Sequence, residues 1–350
     1  MKIQIADKYI GVDEPVFIVA EMSANHGGDI NKAKEIIKRA KDCGADAVKL
    51  QTYRADTITL DCEKQDFLIP ENDPWHYKKT LFNLYKEAYT PWEWHEELFQ
   101  EAKKNEIIIF SAPFDSTAVD LLEELNAPAY KIASAEVTDI PLLEKVAKTK
   151  RPVIMSTGLA EIDDLDLAID TLRRNGCEEL VLLKCTASYP APPEQMNLKT
   201  IPDLALRYNC LSGLSDHTLG VGVPIAAVAL GATMIEKHFV LDKTDNTVDA
   251  FFSLDPSDLN LLVSEIRKIK KAIGKVDYSI PGDPDTKFNA RRSLYVSKPI
   301  KKNEMLNPEH IKSVRPSHGL HPKYYKDIIG KTVNKDLDLG DRLNLDLINM

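Results

Sequence analysis

The feature that most constrains the fold is a repeated alternation of short apolar runs with amphipathic segments between residues 15 and 273. The first run, 15–21, precedes a segment that Asp29 can cap, and its apolar residues from Ile30 to Ala40 recur every three or four positions. This pattern predicts a strand followed by a helix that ends before Gly44. Strands are predicted at 15–21, 47–53, 107–113, 129–134, 152–157, 180–186, 211–216 and 234–239. The later helices are predicted at 91–104, 116–125, 142–148, 162–174, 198–208, 221–230 and 256–273.

Eight strands of continuous apolar character, each followed by a helix, indicate an α/β fold with a parallel sheet buried on both faces. A closed (β/α)8 TIM barrel accommodates eight such units better than an open doubly wound sheet. No GxGxxG motif follows the first strand, which also disfavours the open dinucleotide-binding sheet. We therefore predict a TIM barrel over residues 1–275.

The pattern changes after Gly274. Residues 276–290 contain Pro, Gly and Asp without a sustained period, so we predict a linker there. Short apolar runs at 293–297 and 311–314 are separated by polar turns, which indicates a small β-rich domain over 291–350.

One connection of the predicted barrel is unusually long. Residues 54–89 separate the second strand from its helix and contain Trp75, His76, Tyr77, Phe82 and Tyr85. Long loops within compact domains are commonly functional. We expect this connection to fold over the catalytic rim and to shape substrate specificity, although an inert surface insertion is the alternative.

Composition narrows the functional class. The chain has 45 Lys and Arg against 54 Asp and Glu, a net charge of −9, which argues against a nucleic-acid-binding protein. No apolar stretch approaches the roughly 20 residues that a membrane span needs, and the N-terminus lacks the apolar core of a signal peptide. The five cysteines form no CxxC pair. These features predict a soluble protein of the cytoplasm that binds neither nucleic acid nor membrane.

Two histidines follow neighbouring strands of the predicted barrel. His217 follows the seventh strand and His238 ends the eighth, so both imidazoles can reach one metal ion at the same rim. Two ligands leave positions open for water or substrate, as Lewis-acid catalysis requires. A structural role is the alternative for a single histidine at a strand end, but the matched pair favours a metal site.

Lysines and serines cluster at the same predicted rim. Together they suit a ligand that carries both phosphate and carboxylate groups. Two alternatives are that the lysines only neutralise internal carboxylates such as Glu21 or Glu136, or that one of them forms a Schiff base with substrate. The residues are Lys49, Lys131, Ser134, Ser156 and Ser215.

Three acidic residues are candidates for proton transfer or for support of neighbouring groups: Glu21, Glu136 and Asp249. Tyr189 follows the sixth strand and either lines the site or packs its own turn. A metal with carboxylates also permits a hydrolase. Two histidines without a clear third carboxylate ligand make a hydrolase the weaker option.

Several motifs at these positions resemble the sialic acid synthase family of nonulosonate synthases. They are AEMSANHGG (20–28), ADAVKLQTY (45–53), YKIASAE (130–136), STG (156–158), CTASYPAP (185–192), GLSDHT (213–218) and IEKHF (235–239). The C-terminal RRSLYVSKPIKKNEML and SVRPSHGLHPKYY look like the antifreeze-like (SAF, β-clip) domain of that family. The resemblance covers nearly the whole chain.

Within the family, LYKEAYTPWEWH (84–95) and RPSHGLHPKYY (315–325) look most like the pseudaminic acid synthase branch. The N-acetylneuraminate branch usually has Thr in place of Ala112 and Asn in place of Ala187. Legionaminic acid and N-acetylneuraminic acid synthases remain alternatives, because the three branches share their condensing machinery and differ in the sugar pocket.

The resemblance implies a metal-dependent condensation of phosphoenolpyruvate with an acetamido sugar, in this branch 2,4-diacetamido-2,4,6-trideoxy-L-altrose. His217 and His238 would bind Mn²⁺ or Mg²⁺, with Co²⁺ as a further possibility. Glu136 would position the water that adds to C2, and Glu21 and Asp249 would contact the sugar or water on the metal. The lysines and serines named above would hold phosphoenolpyruvate, and the residues facing the sugar would be Asn25, Gln51, Tyr189 and, from a partner chain, Arg315.

The resemblance also implies a domain-swapped homodimer in which the small domain covers the partner's barrel. An alternative of a different class is a non-catalytic sugar-binding or ice-binding protein that keeps the barrel as a scaffold. The cationic strand ends and the histidine pair together argue against it, because a scaffold needs neither.

Overall fold

The structure, a computed structural model, describes residues 1–280, 282 and 284–349. The chain forms two compact units, Met1–Gly274 and Lys275–Met350. Each unit has its own apolar core. Among the described residues, no helix is both long and apolar enough to cross a membrane.

The first unit begins with an antiparallel hairpin of β1 (Lys2–Ile5) and β2 (Lys8–Gly11), which the sequence patterns did not reveal. Eight parallel strands then form a closed barrel in sequence order, and the last strand pairs with the first to complete it. The predicted TIM barrel is confirmed. Its strands are β3 (Phe17–Glu21), β4 (Ala47–Thr52), β5 (Ile108–Pro113), β6 (Tyr130–Ile132), β7 (Val153–Ser156), β8 (Leu180–Cys185), β9 (Leu211–Asp216) and β10 (Met234–His238).

Helices follow every barrel strand and bury their apolar faces against the sheet. Four of them begin after an aspartate whose carboxylate accepts a backbone N–H of the first turn, namely Asp29, Asp115, Asp139 and Asp255. The helices of this unit are α1 (Ile30–Asp42), α2 (Ala55–Ile58), α3 (Leu81–Ala88), α4 (His95–Lys104), α5 (Ser116–Glu124), α6 (Ile140–Lys148), α7 (Ile162–Arg174), α8 (Thr200–Tyr208), α9 (Gly222–Ala229) and α10 (Pro256–Ile273).

The hairpin fills one end of the barrel. Ile3, Ile5 and Ile10 are buried in one apolar cluster with inward-facing strand residues such as Phe17 and Met234. Those strand residues lie at the amino ends of their strands. The polar interior is therefore confined to the opposite end, at the carboxyl ends of the strands.

A glycine sets the spacing of β9 and β10. A Cβ atom built on Gly213 would overlap the backbone carbonyl oxygen of Met234 and crowd the side chain of Leu183. Only a residue without a side chain allows the two strands to approach this closely. The approach matters because β9 and β10 lead to the two candidate metal ligands.

The long connection 54–89 contains two helices, α2 and α3, and a β-bridge between Leu68 and Thr80. Thr80 caps α3 by accepting the backbone N–H of Asn83. The connection is thus a folded element that follows the carboxyl end of β4.

The second unit is built from short antiparallel pairs around the buried side chains of Leu294, Ile311 and Ile328. The segment 276–290, predicted as a linker, contains an exposed helix, α11 (Pro284–Ala290). The sequence did not indicate this helix, because seven residues are too few to show a periodic pattern. Residues 281 and 283 of that segment lie outside the described residues. The elements are α11 (Pro284–Ala290), α12 (Tyr325–Ile328), β11 (Ser293–Val296), β12 (Ile311–Val314), β13 (Thr332–Val333) and β14 (Ile348–Asn349).

Candidate active site

A cavity of about 340 Å³ opens at the carboxyl ends of the barrel strands. Side chains alternate between the two faces of a strand, so residues two apart point the same way. On β10, Glu236 and His238 line the cavity, whereas Lys237 points outward and pairs with Asp216 at 2.8 Å. The predicted site residues that line the cavity are Lys49, Gln51, Lys131, Ser134, Glu136, Ser156, Tyr189, Ser215, His217, His238 and Asp249.

Two lysines and two glutamates form a buried charge network at the floor of this cavity. The Lys49 ammonium lies 2.6 Å from Glu21 Oε2 and 3.7 Å from Glu236 Oε1, and Lys131 lies 3.5 Å from the same Glu236 oxygen. Ser215 donates a hydrogen bond to that oxygen at 3.1 Å. Every charged side chain in the network is at most 6% exposed, so its members interact in a low-dielectric environment.

Burial and ion pairing shift the pKa of each charged group in this network in opposite directions. Burial raises the pKa of Glu21, and Lys49 offsets only part of that shift. Burial would also raise the pKa of Glu236, but Lys131 and Lys49 outweigh it and hold the pKa well below its usual range. The pKa of Lys131 is lowered by burial, which Glu236 only partly offsets. Glu236 is thus a fixed anion between the two lysines.

Several buried polar atoms at the cavity have no hydrogen-bond partner among the described residues. They include Glu136 Oε2, Ser156 Oγ and Glu236 Oε2. Leaving such an atom unpaired costs about 1–3 kcal/mol, so they fit a site that binds a polar ligand. Ser134 accepts a hydrogen bond from the backbone N–H of Gly158 at 3.0 Å, which fixes its hydroxyl beside the same cavity.

The two histidines are adjacent, with ring centroids 5.3 Å apart. His217 Nδ1 lies 3.0 Å from the carbonyl oxygen of Thr186, so Nδ1 carries the proton in that bond and Nε2 keeps a free lone pair. His238 Nδ1 has no hydrogen-bond partner among the described residues, and its nearest carboxylate oxygen, on Asp249, is 3.6 Å away. Both imidazoles can therefore act as metal ligands.

No three His, Cys, Asp or Glu side chains of the described residues are arranged to hold an ion by themselves. His217 and His238 both line the cavity and are the candidate donors for a metal there. The aromatic rings of Tyr189 and Phe252 pack around this pair, at 4.4 Å from His217 and 4.8 Å from His238 respectively. They restrict the orientations open to both imidazoles.

Two further carboxyls that line the cavity, those of Glu136 and Asp249, differ in protonation. Burial raises the pKa of Glu136 to about 7. Burial also opposes ionisation of Asp249, but the His238 imidazole and the Ser23 hydroxyl outweigh it and lower its pKa. At neutral pH Asp249 is therefore an anion, whereas Glu136 can either donate or accept a proton.

One predicted sugar-binding residue of the barrel unit, Asn25, is absent from the described cavity lining. Asn25 is fully buried, and its amide donates to the carbonyl oxygen of Phe239 and to Ser253 and accepts from Thr247. These bonds tie the first βα loop to the last one and leave Asn25 no free group. Arg315 belongs to the second unit, where it is exposed.

Glu236 was not assigned a role from the sequence. Glu236 is two residues before His238 on one strand, and this spacing could have identified it as inward-facing. Of the five aromatic residues expected over the rim, Trp75 and Tyr85 line the cavity. The Trp75 indole donates to the carbonyl oxygen of Val248 at 3.0 Å and thereby joins two loops of the rim.

Known proteins are similar to this chain over nearly its whole length. The pseudaminic acid synthase of Campylobacter jejuni subsp. jejuni serotype O:2 is 45% identical over 333 residues, which cover 95% of this chain and 96% of that protein. The N,N'-diacetyllegionaminic acid synthase of the same organism is 37% identical, covering 91% of this chain and 96% of that protein.

Solved structures and family models give the same result. The crystal structure of an N-acetylneuraminic acid (sialic acid) synthetase from Leptospira borgpetersenii serovar Hardjo-bovis matches with a TM-score of 0.71 at 33% identity. The match covers 80% of this chain and 93% of that one. The SAF domain model matches residues 291–343, and the NeuB family model matches residues 36–278. This chain therefore belongs to the NeuB family.

Proposed function

We propose that this protein is a pseudaminic acid synthase, which condenses phosphoenolpyruvate with 2,4-diacetamido-2,4,6-trideoxy-L-altrose and water. The products are inorganic phosphate and a nine-carbon 2-keto sugar acid. The observation that carries the proposal is the 45% identity to a pseudaminic acid synthase along 95% of the chain. The buried lysines and the unpaired Ser156 hydroxyl of the barrel support it, because they can pair with the phosphate and carboxylate oxygens of phosphoenolpyruvate.

The bond changes follow from the substrates. C3 of phosphoenolpyruvate bonds to the aldehyde carbon of the open-chain sugar, and the aldehyde oxygen takes a proton to become a hydroxyl group. Water adds at C2, and the bond between C2 and the phosphate oxygen then breaks. Phosphate therefore leaves by C–O cleavage, and C2 becomes the keto carbon of the product.

Phosphoenolpyruvate would bind at the floor of the cavity. Lys49 and Lys131 would provide the positive charge for phosphate and carboxylate, because both side chains line the cavity. The hydroxyls of Ser134, Ser156 and Ser215 would donate further hydrogen bonds. Ser156 Oγ is the strongest candidate of the three, because it is buried without a partner among the described residues.

His217 and His238 would hold the divalent metal, Mn²⁺ or Mg²⁺, with Co²⁺ as a further option. When bound, the ion supplies Lewis-acid polarisation of the acceptor aldehyde. The tautomer of His217 suits this role, because its bond to Thr186 directs the free lone pair of Nε2 away from the backbone.

The carboxyl groups would have separate roles in activating water and in binding the sugar. Glu136, with its pKa raised to about 7, would position the water and accept its proton. Asp249 and Gln51 would contact the sugar, because both line the cavity. Glu21, predicted to contact the sugar or water on the metal, is fully buried outside that lining, where it pairs with Lys49 and accepts a hydrogen bond from the Gln51 amide at 3.0 Å. Tyr189 would pack against the sugar beside the histidine pair.

The working enzyme would be a domain-swapped homodimer in which Arg315 of the partner subunit reaches the sugar. The exposure of Arg315 in its own unit is compatible with such a role. We place the reaction in the cytoplasm, where phosphoenolpyruvate is available and where the five free thiols of this chain would stay reduced.

The test is acceptor-dependent phosphate release. Purified protein is incubated with phosphoenolpyruvate, Mn²⁺ and one of three acceptors: the L-altro sugar, its D-manno counterpart or N-acetylmannosamine. Metal-dependent release with the L-altro sugar alone supports the proposal. Preference for the D-manno sugar or for N-acetylmannosamine would instead identify a legionaminic or N-acetylneuraminic acid synthase. If none of the three sugars supports phosphate release, the acceptor is a different sugar or the chain is a non-catalytic sugar-binding protein.

A further inference from the structure

The cavity has two chemically different faces. Its floor carries the charged and hydroxyl groups at the strand ends, and the long connection 54–89 supplies much of the opposite face. Ile69, Pro70, Leu81, Leu84 and Tyr85 line the cavity from this connection. We call Ile69, Leu81 and Leu84 the apolar wall.

The apolar wall faces the cavity rather than the barrel core. Ile69 and Leu84 are only 4% and 8% exposed, yet neither packs in an apolar core cluster among the described residues. Both side chains line the cavity, so the surface they leave uncovered by protein is available to contact a bound ligand.

Aromatic contacts hold the wall in place. The ring of Tyr85, on the same helix as Leu84, meets the ring of Tyr53 edge-on at 5.8 Å. Tyr53 in turn contacts Phe114 at 5.1 Å, so the wall is anchored to the ends of β4 and β5. Asp73 is the charged residue that the connection contributes to the described lining, and one of its oxygens already accepts the backbone N–H of Trp75 at 2.8 Å.

The position of the wall indicates which part of the sugar it meets. The aldehyde carbon must lie at the floor, where it can bond to phosphoenolpyruvate. C6 is the other end of the six-carbon chain, so in an extended acceptor it points toward the cavity mouth and the long connection. A methyl group there loses only water contacts, whereas a hydroxyl group would also lose hydrogen bonds that the apolar wall cannot replace.

We propose that the apolar wall makes this enzyme select acceptor sugars with a methyl group at C6 over sugars with a hydroxyl group there. The proposal rests on the proposed function, because it assumes that this cavity binds the acceptor. It assigns specificity to three side chains of the long connection, separately from the charged groups that carry out the condensation.

The test compares kcat/KM for the L-altro trideoxy sugar and for its analogue that retains the C6 hydroxyl. We expect the wild-type protein to prefer the 6-deoxy sugar by about 10- to 100-fold. Leu84→Asn, which offers the hydroxyl a partner, is expected to lower this ratio about tenfold without changing the KM for phosphoenolpyruvate. If thermal unfolding shows that this variant is not folded, Leu81→Asn at a partly buried position of the same wall replaces it.

Two matched variants serve as controls. Leu84→Met keeps the site apolar and is expected to keep the ratio. Leu60→Asn makes the same chemical change at a 63% exposed position of the same connection, outside the described cavity lining, and is also expected to keep it.

The possible results distinguish a failure of the proposed role of the apolar wall from a failure of the proposed function. Equal kcat/KM for both sugars, or a ratio that Leu84→Asn leaves unchanged, overturns the role of the wall while the condensation stands. If the D-manno sugar proves to be the substrate, the same comparison is made with its own 6-hydroxy analogue. Turnover of no acceptor refutes the proposed function, and the wall with it.

Discussion

Glu236 provides the sharpest test of the charge network, because one oxygen of its carboxylate lies near both lysines. Glu236→Gln keeps the shape of the side chain and removes its charge. The ammonium groups of Lys131 and Lys49 lie 3.5 and 3.7 Å from Glu236 Oε1, and all three side chains are buried. The variant therefore leaves Lys131 without its carboxylate partner.

The expected loss of stability follows from these distances. At an effective dielectric constant of about 20, each contact contributes about 4–5 kcal/mol of Coulomb energy, and breaking a buried ion pair typically costs about 3–5 kcal/mol. Lys131 can limit the cost by losing its proton, because burial already lowers its pKa. We therefore expect the free energy of unfolding to fall by about 3 kcal/mol.

Urea unfolding of the wild type and the variant at pH 7.5 measures this loss, and the control is Glu265→Gln. Glu265 pairs with Lys268 on the surface of α10, so its loss is expected to cost less than about 1 kcal/mol. Saturating phosphoenolpyruvate is expected to reduce the difference between wild type and Glu236→Gln, because its phosphate replaces the missing charge. A Glu236→Gln variant as stable as the Glu265→Gln control would show that the Glu236 carboxylate does not stabilise the buried lysines.

Four further predictions concern the catalytic carboxyl, strand spacing, the metal and the dimer. Because the pKa of Glu136 is raised to about 7 and its ionised form accepts a proton from water, kcat/KM is expected to rise as pH increases through about 7. Glu136→Gln should abolish that limb and lower the rate at least about 100-fold, which a pH–rate profile measures. Gly213→Ala is expected to destabilise the barrel by about 1–3 kcal/mol in urea unfolding, whereas Gly222→Ala, whose Cβ would meet nothing within 4 Å, should cost far less. His217→Ala should weaken Mn²⁺ binding at least about 100-fold, measured by electron paramagnetic resonance of free Mn²⁺; unchanged affinity would exclude the histidine pair as the site. Arg315→Ala and His217→Ala are each expected to be inactive, but a mixture refolded together should regain activity if Arg315 acts across the dimer, and should stay inactive if it does not.

The sequence predicted the barrel because every strand–helix unit repeats the same two periods. A strand buried on both faces is continuously apolar, and a helix covering it shows apolar residues every three or four positions. The hairpin of β1 and β2 has strands of only four residues, too short for either signal to be distinctive. Its role in filling the barrel depends on contacts between Ile3, Ile5 and distant strands.

Site residues at the ends of strands could be predicted from the sequence. Contacts that depend on how far a side chain extends across the barrel could not. His217 and His238 follow adjacent strands, so the fold alone brings them together. The ion pair between Glu236 and Lys131 forms across the barrel interior and depends on the lengths of both side chains. The spacing of residues in the sequence does not give this information. Asn25 shows the opposite case, because its position in a rim motif gave no indication that its side-chain hydrogen bonds join two loops.

In the proposed reaction, phosphate leaves by C–O cleavage, and it leaves only after phosphoenolpyruvate has bonded to the sugar. The measurement is mass spectrometry of the phosphate released from phosphoenolpyruvate that carries ¹⁸O in the bridging position between C2 and phosphorus. With the L-altro sugar and Mn²⁺ present, we expect the heavy oxygen to leave with phosphate, and we expect release to stop when the sugar is omitted. Unlabelled phosphate, or release that continues without the sugar, would contradict a synthase and indicate hydrolysis at phosphorus.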